Sequence, residues 1–144
     1  MNNGQESAAR LRGVVHHIDL TVRDVAASAP FYEALLGFLG YARVKQEAAL
    51  HVWDLIRDGR VAGGVALRAA RSERGHDRYS AGLHHLAFHA ADRSDVDRAH
   101  ALMREQGATI LDPPAEYPEY GTGYYAVFFA DPDGLKLEVV HFTG

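Results

Sequence analysis

Two stretches, HHIDLTVRD at residues 16–24 and HHLAFHAAD at residues 84–92, decide the fold. Each begins with a His-His pair, continues as an apolar alternation and ends in an aspartate, and the spacing from His17 to His85 is 68 residues. Such a recurrence indicates that one supersecondary unit is duplicated. In each copy a strand pattern is followed by a helical stretch and then by shorter strands between turn residues. The sequence therefore predicts an α+β fold with two similar modules.

The rest of the chain divides around these stretches. We expect a flexible N-terminal tail at residues 1–12, a first module at 13–70, a linker at 71–81 and a second module at 82–144. The linker is rich in charge and contains a glycine, which is typical of a connecting segment. Because the chain has 144 residues, against a usual domain size of roughly 150, both modules should belong to one domain.

Helix starts can be predicted from capping residues. Asp24 or Ser28 could cap the first helix, and Ser28 is favoured because Pro30 would then lie in the first turn, where its missing N–H costs little. In the second module, Ser94 followed by Asp97 resembles a capping box.

Composition excludes several classes of function. The formal charge of -4, with dispersed basic residues, argues against a nucleic-acid partner. No apolar run approaches the roughly 18 residues of a membrane helix, and the start MNNGQESAARLR lacks the apolar core of a signal peptide. We therefore expect a soluble, cytoplasmic protein without a membrane partner. Since there is no cysteine, any metal must be bound by histidines and carboxylates.

Strand alternation predicts a metal site. Side chains of a strand alternate between its two faces, so every second residue belongs to the same face, called here a phase of the strand. In three strands one phase is apolar and suited to packing on helices. The opposite phase contains His17, His85 and Glu138. Two imidazoles and one carboxylate are the donors of the facial triad, which leaves coordination positions open for substrate. We therefore expect these three residues to bind a divalent ion, although alternation alone does not bring them together.

The chain also resembles a known family. HHIDLTVRD, FYEALLGFLGY at residues 31–41, HHLAFHAAD, and YYAVFFADPDGLKLEVV at residues 124–140 resemble the vicinal oxygen chelate superfamily, which includes glyoxalase I, bleomycin-binding proteins and extradiol dioxygenases. The resemblance implies two βαβββ modules that pair into a cupped mixed sheet around a metal cavity. It also implies that His17, His85 and Glu138 are the ligands, and that two chains form a homodimer.

The resemblance does not select one activity. Glyoxalase I enzymes take a fourth, carboxylate ligand from the last strand of the first module, where this chain offers only Leu67 or Arg68. Extradiol dioxygenases place an acid–base histidine where Ala70 and Arg71 stand, and a tyrosine near Phe128. Fosfomycin transferases share the three-ligand pattern, but their C-terminal anion-binding segment has no counterpart in the ending HFTG.

Candidate substrate contacts come from the strands and the loop that are expected to surround the metal. The sequence does not assign a catalytic residue. The candidates are His51, Trp53, His89, Tyr120 and Phe128, with Tyr117 and Tyr124 as further cavity wall. His89 lies four residues beyond His85 on the same face of the strand, where it could carry a proton. Asp19 and Lys136 could flank the site.

Three functions follow as expectations. The first is a metal-dependent enzyme acting on a small oxygen-chelating substrate, of lyase, isomerase, transferase or dioxygenase type, with Fe, Mn, Zn, Ni or Co as the ion. The alternative is a non-catalytic protein that binds a small molecule or antibiotic, as bleomycin-resistance proteins do. The third is a scaffold that acts by self-association. The sequence also leaves open whether His17 meets His85 within one chain or across two.

Overall fold

A helix forms where the flexible tail was expected. The computed structural model describes residues 3–144, so the first two residues of the expected tail lie outside the described part. Helix α1 spans Asn3–Arg10, and Arg60 donates a hydrogen bond to the carbonyl oxygen of Gly4 at 2.9 Å. The expected tail is therefore mostly helical and contacts the first module.

Both modules have the expected order of one strand, one helix and three strands. The first contains β1 Ile18–Val22, α2 Val25–Phe38, β2 Ala42–Glu47, β3 Leu50–Arg57 and β4 Arg60–Ala69. The second contains β5 His85–His89, α3 Arg93–Glu105, β6 Thr109–Glu116, β7 Tyr125–Ala130 and β8 Lys136–His141, with a short 3₁₀ turn at Pro118–Tyr120. The α+β prediction with two βαβββ modules is confirmed.

Each module forms its own four-stranded mixed sheet. The strand orders are β1-β4-β3-β2 and β5-β8-β7-β6. In both sheets the first strand runs parallel to the last one, and the other pairs are antiparallel. Strands β1 and β5 are therefore edge strands, and the two sheets do not close into one cup within a chain.

Turn chemistry matches the sequence at the β3–β4 hairpin. The Asp-Gly pair at residues 58–59 predicts a tight turn between two strands. Asp58 and Gly59 have φ of 50° and 71°. Both angles lie in the left-handed region that a tight hairpin turn requires, which explains the Asp-Gly pair.

The helix starts differ from those predicted. Asp24, not Ser28, caps α2, and its carboxylate accepts a hydrogen bond from the amide of Ala27 at 3.1 Å. Pro30 consequently lies inside the helix. In α3 the cap is Asp92, which accepts from the amide of Asp95 at 2.8 Å. In both helices the cap is an aspartate that lies closer to the preceding strand, four residues before Ser28 and two before Ser94. Its carboxylate offers the same kind of acceptor at an earlier position.

Strand β6 is longer than predicted because Pro113 and Pro114 continue it. The sequence predicted a strand at 108–111 and then a loop, since proline lacks the donor of a sheet hydrogen bond. However, β6 is an edge strand, and its pairing with β7 shifts register between Asp112 and Ala115. An irregular edge tolerates proline.

One hydrophobic core joins the two modules. It contains buried residues from both helices and from the helix-facing sides of both sheets. The rings of Phe31 in α2 and Phe129 in β7 lie 6.2 Å apart, and the buried Tyr32 hydroxyl donates to Asp131 at 2.6 Å. The modules are thus held together through their helices. No helix within residues 3–144 is long and apolar enough to cross a membrane.

Candidate functional site

The sheet face away from the helix, called here the open face of each module, carries the polar residues. In the second module, Leu137 and Val139 of β8 belong to the core shared with the helices. Glu138 points the other way, and its register partners are Ala87 in β5 and Phe128 in β7. The predicted strand phases therefore hold for this module.

A buried carboxylate lies at the centre of this open face. Glu138 is 1% exposed, and its Oε2 atom is 3.2 Å from Nε2 of His85. Its other oxygen, Oε1, accepts a hydrogen bond from the Tyr124 hydroxyl at 2.5 Å. A buried charge requires such partners, because desolvation of an unpaired carboxylate costs several kcal/mol.

The two donor atoms fit part of a divalent metal site. Two ligands at right angles, each about 2.1 Å from an ion, lie about 3 Å apart. The separation of 3.2 Å between Glu138 Oε2 and His85 Nε2 matches that value. The hydrogen bond from Tyr124 leaves Oε2 of Glu138 available and holds the carboxylate in place. One chain thus supplies two of the three expected donors in a compatible arrangement.

Tyr124 stays protonated in this environment. Burial raises its pKa well above the usual value, and the hydrogen bond to Glu138 raises it further. The hydroxyl therefore remains a donor at neutral pH. From the sequence, Tyr124 was expected only in the cavity wall. Its closer role could have been inferred from its position two and four residues before Ala126 and Phe128, which places all three side chains on the same sheet face.

The duplication extends to the histidine pairs. Nδ1 of His84 lies 2.8 Å from Nδ1 of His85, and Nδ1 of His16 lies 2.9 Å from Nδ1 of His17. Partial desolvation lowers the pKa of His84, and the nearby charge of His85 adds to this effect. In each pair the second histidine keeps Nε2 free of its neighbour, as a metal ligand would need.

His17 lies on the open face of the first module. It precedes β1, and a Cβ atom at Gly64 would stand 3.2 Å from the His17 Cβ, so the glycine leaves room for this side chain. Nearby, Asp19 forms an ion pair with Arg68 at 2.5 Å. Within residues 3–144 of one chain, no three histidine or carboxylate side chains come together to hold an ion. The structure joins His85 to Glu138 but does not bring His17 to them.

Two predicted substrate contacts lie on the wrong face. Trp53 is fully buried in the shared core, and its indole N–H donates to Glu33 of α2 at 2.5 Å. His51 pairs in register with Leu67, a core residue, and is 7% exposed. Both side chains therefore face the helix side of β3, so neither lines the open face. The sequence prediction placed these two residues on the ligand-facing side of β3. It was wrong because a histidine and a tryptophan suit a ligand site and a helix interface equally well.

Aromatic rings form a wall beside Glu138. The ring of Phe128 lies 6.3 Å from that of His85 and 5.3 Å from that of Tyr117. Tyr120 stacks on Tyr117 at 5.9 Å and is 60% exposed. Lys136 places its Nζ 4.5 Å from the centre of the Phe128 ring. This wall offers an apolar surface with one cation at its edge.

The loop that carries Tyr120 depends on a glycine. Gly121 has a φ of 141°, and a Cβ atom there would lie 2.7 Å from the ring of Phe142. Any other residue would be strained at this φ and would clash with the Phe142 ring, so either the ring or the loop would have to move. His89 is the last of the predicted substrate contacts. It is exposed at the end of β5, on the same sheet face as His85. In the described part of the chain no contact joins it to Glu138.

The comparisons with known proteins agree on one family. Residues 14–139 match the family model described as Glyoxalase/Bleomycin resistance protein/Dioxygenase superfamily. The chain is 34% identical to the uncharacterized protein YqjT of Bacillus subtilis, over 88% of this chain and 97% of that protein. It is similar to a solved structure from Bacillus halodurans, provisionally described as a glyoxalase, with a TM-score of 0.76 and 28% identity over 92% and 98% of the two chains. A glyoxalase/bleomycin resistance protein from Albidiferax ferrireducens follows, with a TM-score of 0.71 and 26% identity over 88% and 97%.

Proposed function

Because the chain belongs to the glyoxalase/bleomycin resistance protein/dioxygenase superfamily, we propose that it is a divalent-metal-dependent enzyme acting on a small molecule with two neighbouring oxygens. The observation that carries this proposal is the buried Glu138 carboxylate, which approaches His85 Nε2 to 3.2 Å on an open sheet face. His85 and Tyr124 compensate part of the cost of burying this carboxylate, and a bound cation would compensate more of it.

We assign the ion to His85 and Glu138 of one chain and to His17 of a second chain. His17 is on the open face of the other module and does not approach the pair within its own chain. Strands β1 and β5 are both sheet edges with unpaired main-chain groups, and the exposed Val14 and Val15 lead into β1. A second copy could cover these edges and apolar side chains in a homodimer.

When bound, the ion would polarise substrate oxygens and stabilise the negative charge that develops on them. Side chains of the open face orient the metal ligand, bind the substrate and transfer a proton. Tyr124 orients the Glu138 carboxylate through its hydroxyl. Phe128 and Tyr120 pack against the apolar part of the substrate, and Lys136 attracts its negative charge. His89 carries a proton to or from the substrate near the end of β5.

We assign the substrate to a chemical class and not to a single compound. Arg68 pairs with Asp19, and Leu67 is buried in the core, so the last strand of the first module offers no carboxylate as a fourth ligand. For this reason we do not assign glyoxalase I activity. The ring wall favours a ligand with an apolar or aromatic part beside its chelating oxygens. Because the chain contains no cysteine, the fold needs no oxidising compartment, and we propose that it works in the cytoplasm.

A second candidate is a small-molecule-binding protein without catalysis. The stack of Tyr117 and Tyr120 beside Phe128 favours it, because such a surface can hold a planar ligand without an ion. Ligand binding that survives a chelator and the substitution Glu138→Gln would support this candidate over the enzyme.

The test is the metal content of protein purified without chelator, measured by elemental analysis together with the thermal shift that added Mn²⁺, Zn²⁺, Ni²⁺ or Co²⁺ causes. We expect close to one ion per site in the native protein and almost none in His85→Ala. His100→Ala, which changes a histidine on α3, is the matched control and should keep its metal. A native protein with no metal and no metal-dependent stabilisation would rule out the proposed enzyme.

A further inference from the structure

We propose that an open, solvent-exposed cavity beside the linker between the modules binds a small anion carrying a phosphate or carboxylate group. The cavity has a volume of about 280 Å³. It lies between the end of β1, the linker and the turn that precedes β8, so residues of both modules contribute to it. None of the residues placed around Glu138 lines it, and the proposal does not depend on the metal site.

The charge of the lining residues points to an anion. Arg23, Arg71 and Arg74 line the cavity together with His76. None of the three arginines takes part in an ion pair within residues 3–144. Three unpaired guanidinium groups around one cavity create a positive potential, although the whole chain has a formal charge of -4.

The acidic residues nearby are already engaged or lie outside. Asp133 is the one carboxylate among the described lining residues, and its Oδ2 accepts a hydrogen bond from the main-chain N–H of Arg23 at 2.7 Å. Glu73 lines a neighbouring groove and not this cavity. Asp77, which follows His76, accepts hydrogen bonds from Ser80 and from the amide of Tyr79. Asp133 offsets part of the positive charge, but the three arginines and one carboxylate still leave the lining with a net positive charge.

The linker also supplies neutral donors. Thr21 and Ser72, whose side chains carry hydroxyl groups, also line the cavity. Across 71–76, no main-chain N–H donates a hydrogen bond to another group of the described residues. Guanidinium forks, hydroxyls and free amides together are the groups that bind phosphate and carboxylate oxygens. Ligand pockets usually measure about 300–1,000 Å³, so this cavity suits a small anion or the anionic end of a larger ligand.

Isothermal titration of chelator-treated and dialysed full-length protein tests this site. Inorganic phosphate and malonate are titrated separately, with chloride holding the ionic strength constant. We expect saturable binding of at least one of the two anions at one site per chain. The double variant Arg71→Ala/Arg74→Ala should bind that anion at least about tenfold more weakly, because each charged hydrogen bond lost weakens binding by about that factor or more.

Arg12→Ala/Arg104→Ala is the matched control. Both residues are exposed, neither lines the cavity, and the pair changes net charge by the same amount. Its affinity should stay within about twofold of the native value, since distant surface charges are screened. Amide resonances of residues 71–76 should shift during the titration and report the location. Unchanged melting temperatures without anion would show that both variants fold.

The two anions distinguish the ligand's chemistry. Tighter binding of phosphate indicates a phosphorylated ligand, and tighter binding of malonate indicates a carboxylate. The proposal is overturned if neither anion binds saturably, if both double variants lose affinity equally, or if the amides of 71–76 do not respond. His85→Ala should bind the anion like the native protein, so failure of the metal proposal would leave this result unchanged.

Discussion

Replacing Tyr124 with phenylalanine tests the support of the buried carboxylate. The substitution removes only the hydroxyl that donates to Glu138 Oε1 at 2.5 Å, while Glu138 itself is 1% exposed. A hydrogen bond to a charged group contributes about 1.5–3 kcal/mol, and the carboxylate would lose its donor without gaining water. We therefore expect the free energy of unfolding of metal-free protein to fall by about 2 kcal/mol.

Urea unfolding and calorimetry measure this loss. For a chain of this size about 2 kcal/mol corresponds to a decrease in melting temperature of about 4–8 °C. The same substitution should weaken metal binding about 10- to 100-fold, because residues that orient a ligand usually have effects of that size. Metal binding is read in a separate titration of folded protein.

The pH dependence of the effect has a definite sign. The pKa of Tyr124 is raised in the folded protein, so its contribution is fully present below the unfolded value of about 10. It is lost only as pH rises from there through the folded pKa. The difference between native protein and Tyr124→Phe should therefore be constant from about pH 7 to 9.

The neighbouring tyrosine provides the control. Tyr125 also donates to a carboxylate, Asp97, at 2.6 Å, but that hydrogen bond is exposed to solvent. Tyr125→Phe should cost less than about 1 kcal/mol and leave metal binding unchanged. Equal losses in the two variants, or no loss in Tyr124→Phe, would refute the view that burial makes this hydrogen bond important.

Three further predictions concern the fold. Leu35→Ala in the fully buried core should lower the free energy of unfolding by about 2–5 kcal/mol in urea, whereas Val44→Ala at an exposed site should change it by less than about 0.5 kcal/mol. Asp24→Ala should lower the free energy of unfolding by about 1 kcal/mol in urea, because α2 loses its N-cap. Circular dichroism should show unchanged helix content, and a shorter helix would mean that the loss has another cause. The pKa of Asp92 is lowered by hydrogen bonds from Ser94 and the Asp95 amide, so its stabilisation is present above the unfolded pKa and is lost as pH falls through the folded value. The stability difference between native protein and Asp92→Asn should therefore shrink as pH falls below the unfolded pKa of about 4, and a constant difference would contradict this cause.

Local patterns predicted most of the fold. The repeat of HHIDLTVRD and HHLAFHAAD located both opening strands, and alternation assigned the phases of β1, β5 and β8 correctly. The Asp-Gly turn between β3 and β4 also formed as expected. These features depend on neighbours close in sequence, which is why a single sequence contains them.

Features that depend on how distant parts of the chain pack together could not be predicted from the sequence. Trp53 faces the core because α2 crosses β3 and Glu33 accepts its indole N–H, and nothing in the alternation of β3 specifies that contact. Pro113 and Pro114 are tolerated because β6 is a sheet edge, which depends on strand order. The same holds for the site: the phases of His17, His85 and Glu138 could be predicted, but which of them meet depends on how the modules pack.

A heterodimer experiment directly tests the proposal that two chains share a metal site. His17→Ala and Glu138→Ala chains with different affinity tags are co-expressed, and the mixed dimer is purified through both tags. If His17 of one chain completes the site of His85 and Glu138 in the other, the mixed dimer retains one intact site, and we predict about one ion per dimer against about two in native protein. A mixed dimer of His85→Ala and Glu138→Ala has no intact site and should contain no ion. A metal-loaded native protein whose His17→Ala/Glu138→Ala dimer is empty would contradict a site shared between two chains.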